Sequence, residues 1–191
     1  MKNILGVILC GGESKRMGSD KGLMPIQNSI WAKFMADKLL FLEGATVFSV
    51  NELQLKNYSS FIAPDDLVVD DYEIGGPARG LLSVNRKFRD KDILLVSCDM
   101  LDLDEFTIRN ILQVYLQEKD YDYYVYQDEK YAQPFCGIYT GKGLGKLRDL
   151  IRLQALSSIS MQYILNNGLT KRIAIEHKDA FHNFNYKDGR L

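Results

Sequence analysis

The segment that follows the first apolar run of the chain has the residue types of a phosphate-binding loop. Ile4 to Leu9 is continuously apolar, which is typical of a strand buried on both faces, and residues 9–21 read LCGGESKRMGSDK. Glycines let a backbone curl so that its N–H groups point inward and form a nest for phosphate oxygens. Arg16 and Lys21 add positive charge to the same loop. The spacing fits neither the Walker motif nor GxGxxG, and the structural alternative is a glycine turn with solvated basic side chains.

A carboxylate follows a second buried run. Residues 93–99 read ILLVSCD, so Asp99 lies just past the end of a predicted strand. In a parallel sheet, ligands bind beyond the carboxyl ends of the strands, which places Asp99 on the same edge as the glycine loop. A carboxylate there can hold Mg²⁺ between phosphates. The alternative is a turn or helix-cap aspartate, a role that suits Asp102 and Asp104 better.

Two further strand ends carry polar residues. Asp70 and Asp71 end a short apolar run, and residues 75–80 (GGPARG) then open a predicted helix whose start can meet an anion or a ribose hydroxyl. Asn51 ends another apolar run and is a candidate base reader. From the residue types alone, a simple turn with a helix cap is favoured for residues 70–80, and a turn residue that terminates its strand is favoured for Asn51.

Apolar runs alternate with helical patterns along the chain. Strands are predicted at 4–9, 45–50, 67–69, 93–96, 121–126, 135–139 and 171–175, and helices at 29–42, 77–88, 106–116, 143–153 and 160–166. Such alternation indicates a doubly wound, mostly parallel sheet covered on both faces. The hairpin at 121–139 breaks the pattern and makes part of the sheet mixed. Its tyrosines at 121, 123, 124 and 126 are interpreted as alternating strand faces, with a partner surface as the alternative.

Composition limits the function classes. The chain has 191 residues, 24 Lys and Arg against 25 Asp and Glu, and a formal net charge of −1. We therefore expect one domain over 1–191 and no nucleic-acid partner. The first apolar run is too short to span a membrane, and three cysteines without a CxxC pair are typical of apolar fillers in a reducing compartment. Hence we expect a cytoplasmic protein without a membrane partner.

The glycine loop resembles the signature of the molybdenum cofactor guanylyltransferases, the MobA-like nucleotidyltransferases, written L-A-G-G-x-S-x-R-M-G-x-D-K. It differs from that signature only at Cys10. The resemblance continues in order over essentially the whole chain, through Asp71 with the following G-P-x-x-G, Cys98-Asp99, Gln133-Pro134, and residues 181–185 (FHNFN), which are similar to F-x-N-x-N.

The resemblance implies a Rossmann-like fold of the nucleotide-diphospho-sugar-transferase kind and an Mg²⁺-dependent reaction. The family transfers GMP from GTP to the terminal phosphate of molybdopterin and releases pyrophosphate, and molybdoenzyme assembly proteins are implied as further partners. Carried over by position, it implies nucleotide-lining Leu9, Cys10, Gly11 and Gly12, phosphate-binding Arg16 and Lys21, nucleoside-contacting Asn51 and Asp71, Mg²⁺-binding Asp99, and acceptor-side Gln133, Asn183 and Asn185.

Departures from the pattern concern the acceptor half. Leu101 replaces a usual proline, residues 185–189 replace the usual N-T-P-E tail, and a basic pair is absent near 157–160. Two alternatives stay open: another nucleotidyltransferase of the same fold, cytidylyl or sugar-phosphate, and a non-catalytic nucleotide-binding molybdoenzyme assembly protein. The resembling cytidine-specific enzymes carry alanine at the position of Gly11, so glycine predicts a purine, and Gly11→Ala is expected to reduce GTP use more than CTP use.

Overall fold

The computed structural model describes residues 3–11 and 20–184. These residues form a seven-stranded sheet in the order β5-β4-β1-β6-β8-β7-β9, and a separate two-stranded hairpin of β2 and β3. The strands are β1 (Ile4–Leu9), β2 (Pro25–Ile26), β3 (Ser29–Ile30), β4 (Thr46–Val50), β5 (Leu67–Val69), β6 (Asp92–Ser97), β7 (Tyr123–Gln127), β8 (Ala132–Tyr139) and β9 (Thr170–Ala174). Strand β8 runs antiparallel to both of its neighbours, whereas the other pairs in the sheet are parallel. The predicted α/β fold with a mixed part is confirmed.

Helices cover both faces of the sheet. They are α1 (Trp31–Asp37), α2 (Glu52–Tyr58), α3 (Pro77–Lys87), α4 (Glu105–Gln117), α5 (Gly141–Arg152) and α6 (Met161–Asn167). Buried residues of α1, α2 and α4 pack in one apolar core, and those of α3, α5 and α6 pack in a second core on the opposite face. Across the residues that the structure describes, no helix has the length and apolar character needed to span a membrane.

The tyrosine-rich strand β7 is buried on both faces, and its tyrosines alternate between the two strand faces as predicted. Tyr123 packs in the core that contains α3, whereas Tyr124 and Tyr126 pack in the core that contains α4. The hydroxyl groups donate to backbone carbonyls: Tyr123 to Gly143 at 3.1 Å and Tyr126 to Thr107 at 2.8 Å. Burial of these three rings also rules out the alternative that they form a partner surface.

Two predictions of local structure need correction. The helix predicted at 29–42 extends only over α1, because Ser29–Ile30 pairs with Pro25–Ile26 across a turn in which Gln27 has a φ of 50°. No helix or strand was predicted over the residues that form α2. Its residues include Leu53, which is 91% exposed, so the segment has no clear apolar stripe that would predict a helix.

Candidate active site

A cavity of about 450 Å³ opens at the edge of the sheet where β1, β4 and β5 end. We call it the first cavity. It is lined by Leu9, Gly11, Asn51, Asp70, Gly75, Gly76, Pro77, Arg79 and Gly80. Three of the residues that were predicted to bind a nucleotide, Leu9, Gly11 and Asn51, therefore come together here. The start of α3 forms one wall, where Pro77 has no N–H and the N–H of Arg79 donates to the carbonyl of Gly76 at 3.0 Å.

Lys21 and Asp99 meet at the same edge, where β6 ends. Lys21 Nζ lies 2.7 Å from Asp99 Oδ2, and the two side chains are 21% and 16% exposed. Ser97 Oγ donates a hydrogen bond of 2.6 Å to the other carboxylate oxygen of Asp99. Lys21 begins a short 3-10 helix whose N-cap is Asp20. The two residues for which phosphate and metal binding were predicted are thus in direct contact, although those two roles themselves stay predictions.

The residues around Asp99 suit a metal ion that takes most of its ligands from water and from substrate phosphates. No group of three or more His, Cys, Asp or Glu side chains able to hold a metal occurs within residues 3–11 and 20–184. Mg²⁺ usually keeps several waters and is bound through one or two carboxylates together with substrate phosphates. A single half-enclosed carboxylate beside a lysine therefore fits Mg²⁺ shared with a triphosphate. Asp104 instead caps α4 by accepting from the N–H of Thr107 at 2.7 Å, as predicted.

Asp70 is a residue of the first cavity that the sequence analysis did not assign. It is only 7% exposed, and Ser49 Oγ donates to its Oδ1 at 2.5 Å. Burial raises the pKa of the Asp70 carboxyl to about 6, against the lowering effects of the Ser49 hydrogen bond and the charge of Arg79. A Cβ atom at Gly11 would collide with Asp70 Oδ2, so the absence of a side chain at Gly11 makes room for this carboxyl group.

Asp71, the neighbour that was predicted to contact the nucleoside, points elsewhere. Its side chain is 53% exposed and forms an ion pair with Arg86, and it does not line the first cavity. Successive residues of an extended chain point to opposite sides, which explains why only one of the two aspartates faces the cavity. Because β5 has only three residues, no sequence signal distinguishes Asp70 from Asp71. A nucleoside contact by Asp71 stays a prediction.

The other predicted nucleotide residues have mixed placements. Asn51 lines the first cavity and also caps α2, because its Oδ1 accepts from the backbone N–H of Gln54 at 3.0 Å. Cys10 is buried in the core on the α1 and α2 side, and burial raises the pKa of its thiol well above the usual value. All three cysteines are buried and free. Gly12 and Arg16 lie outside the described residues.

The predicted acceptor-side residues lie toward the other end of the same edge. A second cavity of about 810 Å³ is lined by Gln127, Asp128, Glu129, Lys130, Tyr131, Gln133, Ala174, Ile175, Lys178 and Phe181. Gln133 donates to Asp128 Oδ2 at 2.9 Å. Asn183 is exposed, and the N–H of the next residue, Phe184, donates to the carbonyl of Asp99 at 3.0 Å. Asn185 lies outside the described residues.

Strand order arranges these features along one edge. The first cavity lies at β5, β4 and β1, Asp99 follows β6, and the second cavity lies at β8, β7 and β9. The profile of the MobA-like NTP transferase domain matches residues 6–166. The chain belongs to this MobA-like family. It is accordingly an enzyme of the nucleotidyltransferase class.

Relatives of known name agree with the MobA-like assignment. A molybdenum cofactor guanylyltransferase from Campylobacter jejuni (strain RM1221) is 26% identical over 180 residues, which cover 94% of this chain and 90% of that protein. The molybdopterin-guanine dinucleotide biosynthesis protein A from Archaeoglobus fulgidus superposes with a TM-score of 0.76 at 19% identity, covering 97% and 93% of the two chains. A cytidylyltransferase from Leptospira borgpetersenii has a TM-score of 0.68 at 16% identity, covering 96% and 80%. This fold therefore occurs both in a protein named for guanine and in one named for cytidine.

Proposed function

We propose that this MobA-like enzyme transfers GMP from GTP to the terminal phosphate of molybdopterin and releases pyrophosphate in an Mg²⁺-dependent reaction. The observation that carries the proposal is the contact of Lys21 with Asp99 at 2.7 Å, between a cavity at β1, β4 and β5 and a larger one at β7, β8 and β9. A transfer between two substrates needs such a charged centre with a binding space on either side. The Campylobacter relative, named for this activity, supports the choice of substrates.

The chemistry that the residues perform is positioning and charge neutralisation. An oxygen of the acceptor phosphate attacks the α-phosphorus of GTP, the bond from that phosphorus to the bridging oxygen breaks, and pyrophosphate leaves with the electron pair. The acceptor phosphate is already ionised near neutral pH, so no general base is required. Lys21 neutralises charge on the triphosphate and the leaving group. Asp99 would hold Mg²⁺, which supplies further neutralisation of phosphate charge when bound.

The first cavity supports guanine as the base. The Watson–Crick edge of guanine places the O6 acceptor beside N–H donors, whereas adenine and cytosine place an amino donor beside a ring acceptor. The Asp70 carboxyl group accepts from N–H donors, and the guanidinium group of Arg79, another residue of the same cavity, is a donor for O6. Groups that match one pattern are left unpaired by the other, and this penalty gives strong discrimination.

The acceptor is assigned to the second cavity. Its walls include the rings of Tyr131 and Phe181, which suit a flat heterocycle, and the cations Lys130 and Lys178, which suit a phosphate, beside the carboxylates of Asp128 and Glu129. Gln133 belongs to this cavity, and Asn183 is tied to the Asp99 segment through Phe184, so an acceptor-side role for both is part of the proposal. Molybdoenzyme assembly proteins as partners and a cytoplasmic location are further parts of it.

The test is turnover with a panel of nucleotides. We would measure kcat/KM for GTP, ATP, CTP and UTP with Mg²⁺ and molybdopterin, detecting pyrophosphate and the dinucleotide product. GTP is expected to have the highest value. Asp99→Asn should abolish turnover with the fold intact, while Asp102→Asn, three residues along, should retain it. A preference for CTP would contradict the proposal, and nucleotide binding without any product would favour a non-catalytic role.

A further inference from the structure

Gln54, in the first turn of α2, bonds to three separate segments of the nucleotide site. Its Oε1 accepts from the backbone N–H of Asn51 at 2.9 Å. Its Nε2 donates to the carbonyl of Cys10 at 3.1 Å and to Asp20 Oδ2 at 2.7 Å. Cys10 and Asp20 lie close to the two ends of the glycine loop, and Asn51 lines the first cavity. One side chain therefore connects the end of β1, the end of β4 and the residue that precedes Lys21.

Asp20 is fixed on both of its carboxylate oxygens. Oδ2 accepts from Gln54, while Oδ1 accepts from the hydroxyl of Tyr58 at 2.9 Å and from the N–H of Gly22 at 3.1 Å. Two of these three donors belong to α2, so the position of Asp20, and with it the start of the 3-10 helix at Lys21, depends on α2.

We propose that Gln54 is a positioning residue for nucleotide binding, which holds the two ends of the glycine loop at a fixed separation. The proposal rests on the proposed function, because the loop and Lys21 are taken to bind the triphosphate. Ordering a loop when a ligand arrives costs conformational entropy and lowers affinity. A side chain that already fixes both ends removes part of that cost. Gln54 thus contributes to affinity for the nucleotide rather than to the chemical step.

The three hydrogen bonds of the side chain at position 54 require an amide group. Asn51 presents a donor, whereas Cys10 and Asp20 present acceptors, and a neutral side chain must therefore accept once and donate twice. Glutamate would keep the acceptor and place a carboxylate against the carboxylate of Asp20. Part of the cap of α2 survives either change, because Asn51 Oδ1 accepts from the backbone N–H of residue 54 and not from its side chain. The bond from the Asn51 N–H to Oε1 is kept by glutamate and lost in alanine.

The experiment compares Gln54→Glu and Gln54→Ala with Gln117→Glu, which makes the same charge change on the exposed end of α4. We expect Gln54→Glu to raise the Kd and KM for GTP with Mg²⁺ by about tenfold or more, because hydrogen bonds to a charged group are lost. The kcat should change far less. The melting temperature should fall by only several degrees relative to the control. The Kd and KM of Gln54→Ala should fall between those of the wild type and Gln54→Glu.

A second variant tests the contact itself. Asp20→Asn in the Gln54→Glu background reverses the donor and the acceptor, and should restore part of the affinity. The nucleotide-free readout is the rate of tryptic cleavage after Lys15 and Arg16, which should rise several-fold in Gln54→Glu and not in Gln117→Glu. Unchanged affinity and cleavage in Gln54→Glu, or losses that only follow the melting temperature without rescue, would overturn the proposal. If the wild type binds no nucleotide, the proposed function fails, while the cleavage rates still decide the role of Gln54.

Discussion

Replacing Asp70 by asparagine should increase the free energy of unfolding at neutral pH and leave it nearly unchanged at low pH. The carboxyl group is 7% exposed, and burial raises its pKa from 3.8 to about 6. Between these two values the folded protein binds more protons at this site than the unfolded chain does. The contribution of Asp70 to the free energy of unfolding therefore falls as pH rises. The full loss of that free energy is present above about pH 6.

The size of the effect follows from the shift. One pKa unit corresponds to about 1.4 kcal/mol, so a charged Asp70 destabilises the folded protein by about 3 kcal/mol at neutral pH. Asparagine has nearly the same shape and keeps an oxygen that accepts from Ser49, but it does not ionise. The difference in unfolding free energy between the Asp70→Asn variant and the wild type should therefore grow by about 2 kcal/mol between pH 4.5 and pH 7.

Urea unfolding followed by circular dichroism across that pH range measures this difference. The matched control is Asp71→Asn, because Asp71 is the adjacent carboxylate and is 53% exposed beside Arg86. The difference in unfolding free energy between the Asp71→Asn variant and the wild type should vary little with pH. A difference for Asp70→Asn that stays constant from pH 4.5 to pH 7 would refute the assignment of a desolvated carboxyl group to the first cavity.

Three further outcomes are expected. Gly11→Ala should destabilise the wild type strongly but the Asp70→Ala variant much less, because the added Cβ collides with the Asp70 carboxylate; equal losses in denaturant unfolding would contradict this close packing. Lys21→Ala should weaken GTP binding by about 1.5–3 kcal/mol in calorimetry, the usual scale for a hydrogen bond to a charged group. Unchanged affinity would contradict a contact of Lys21 with the triphosphate. Asp104→Ala should lower the free energy of unfolding by about 1 kcal/mol through loss of the Thr107 cap, with kcat retained; loss of kcat would assign Asp104 to the site.

The placement of Lys21 and Asp99 at the same edge of the sheet could be predicted from the sequence, because it follows from a general property of parallel sheets. Their direct contact is visible only in the folded arrangement. Carboxyl ends of adjacent strands meet at one edge, and β1 and β6 are neighbours. The choice between Asp70 and Asp71 could not be made, since it depends on which way a three-residue strand faces. Only the folded arrangement shows that Ser49 and the space at Gly11 receive Asp70.

The start of helix α2 has a recognisable capping motif in the sequence. Asn51 and Gln54 form a reciprocal capping box, whose spacing is visible in the sequence as a cap residue followed three positions later by glutamine. Apolar periodicity missed the helix because its exposed face includes Leu53. Burial of β7 on both faces agrees with the predicted cover of helices on both sides of the sheet.

The central place of β1 in the sheet determines the order in which the chain can fold. Gly6 pairs with Thr46 on one side, and Ile4 pairs with Asp92 on the other, so β1 cannot complete its ladders until β6 has been made. Pairing between strands this far apart in sequence is slow, because the loop between them must close before its contacts form. A nascent chain that ends before β6 therefore exposes one edge of an entirely apolar strand, and an exposed edge of this kind is a template for pairing with another chain.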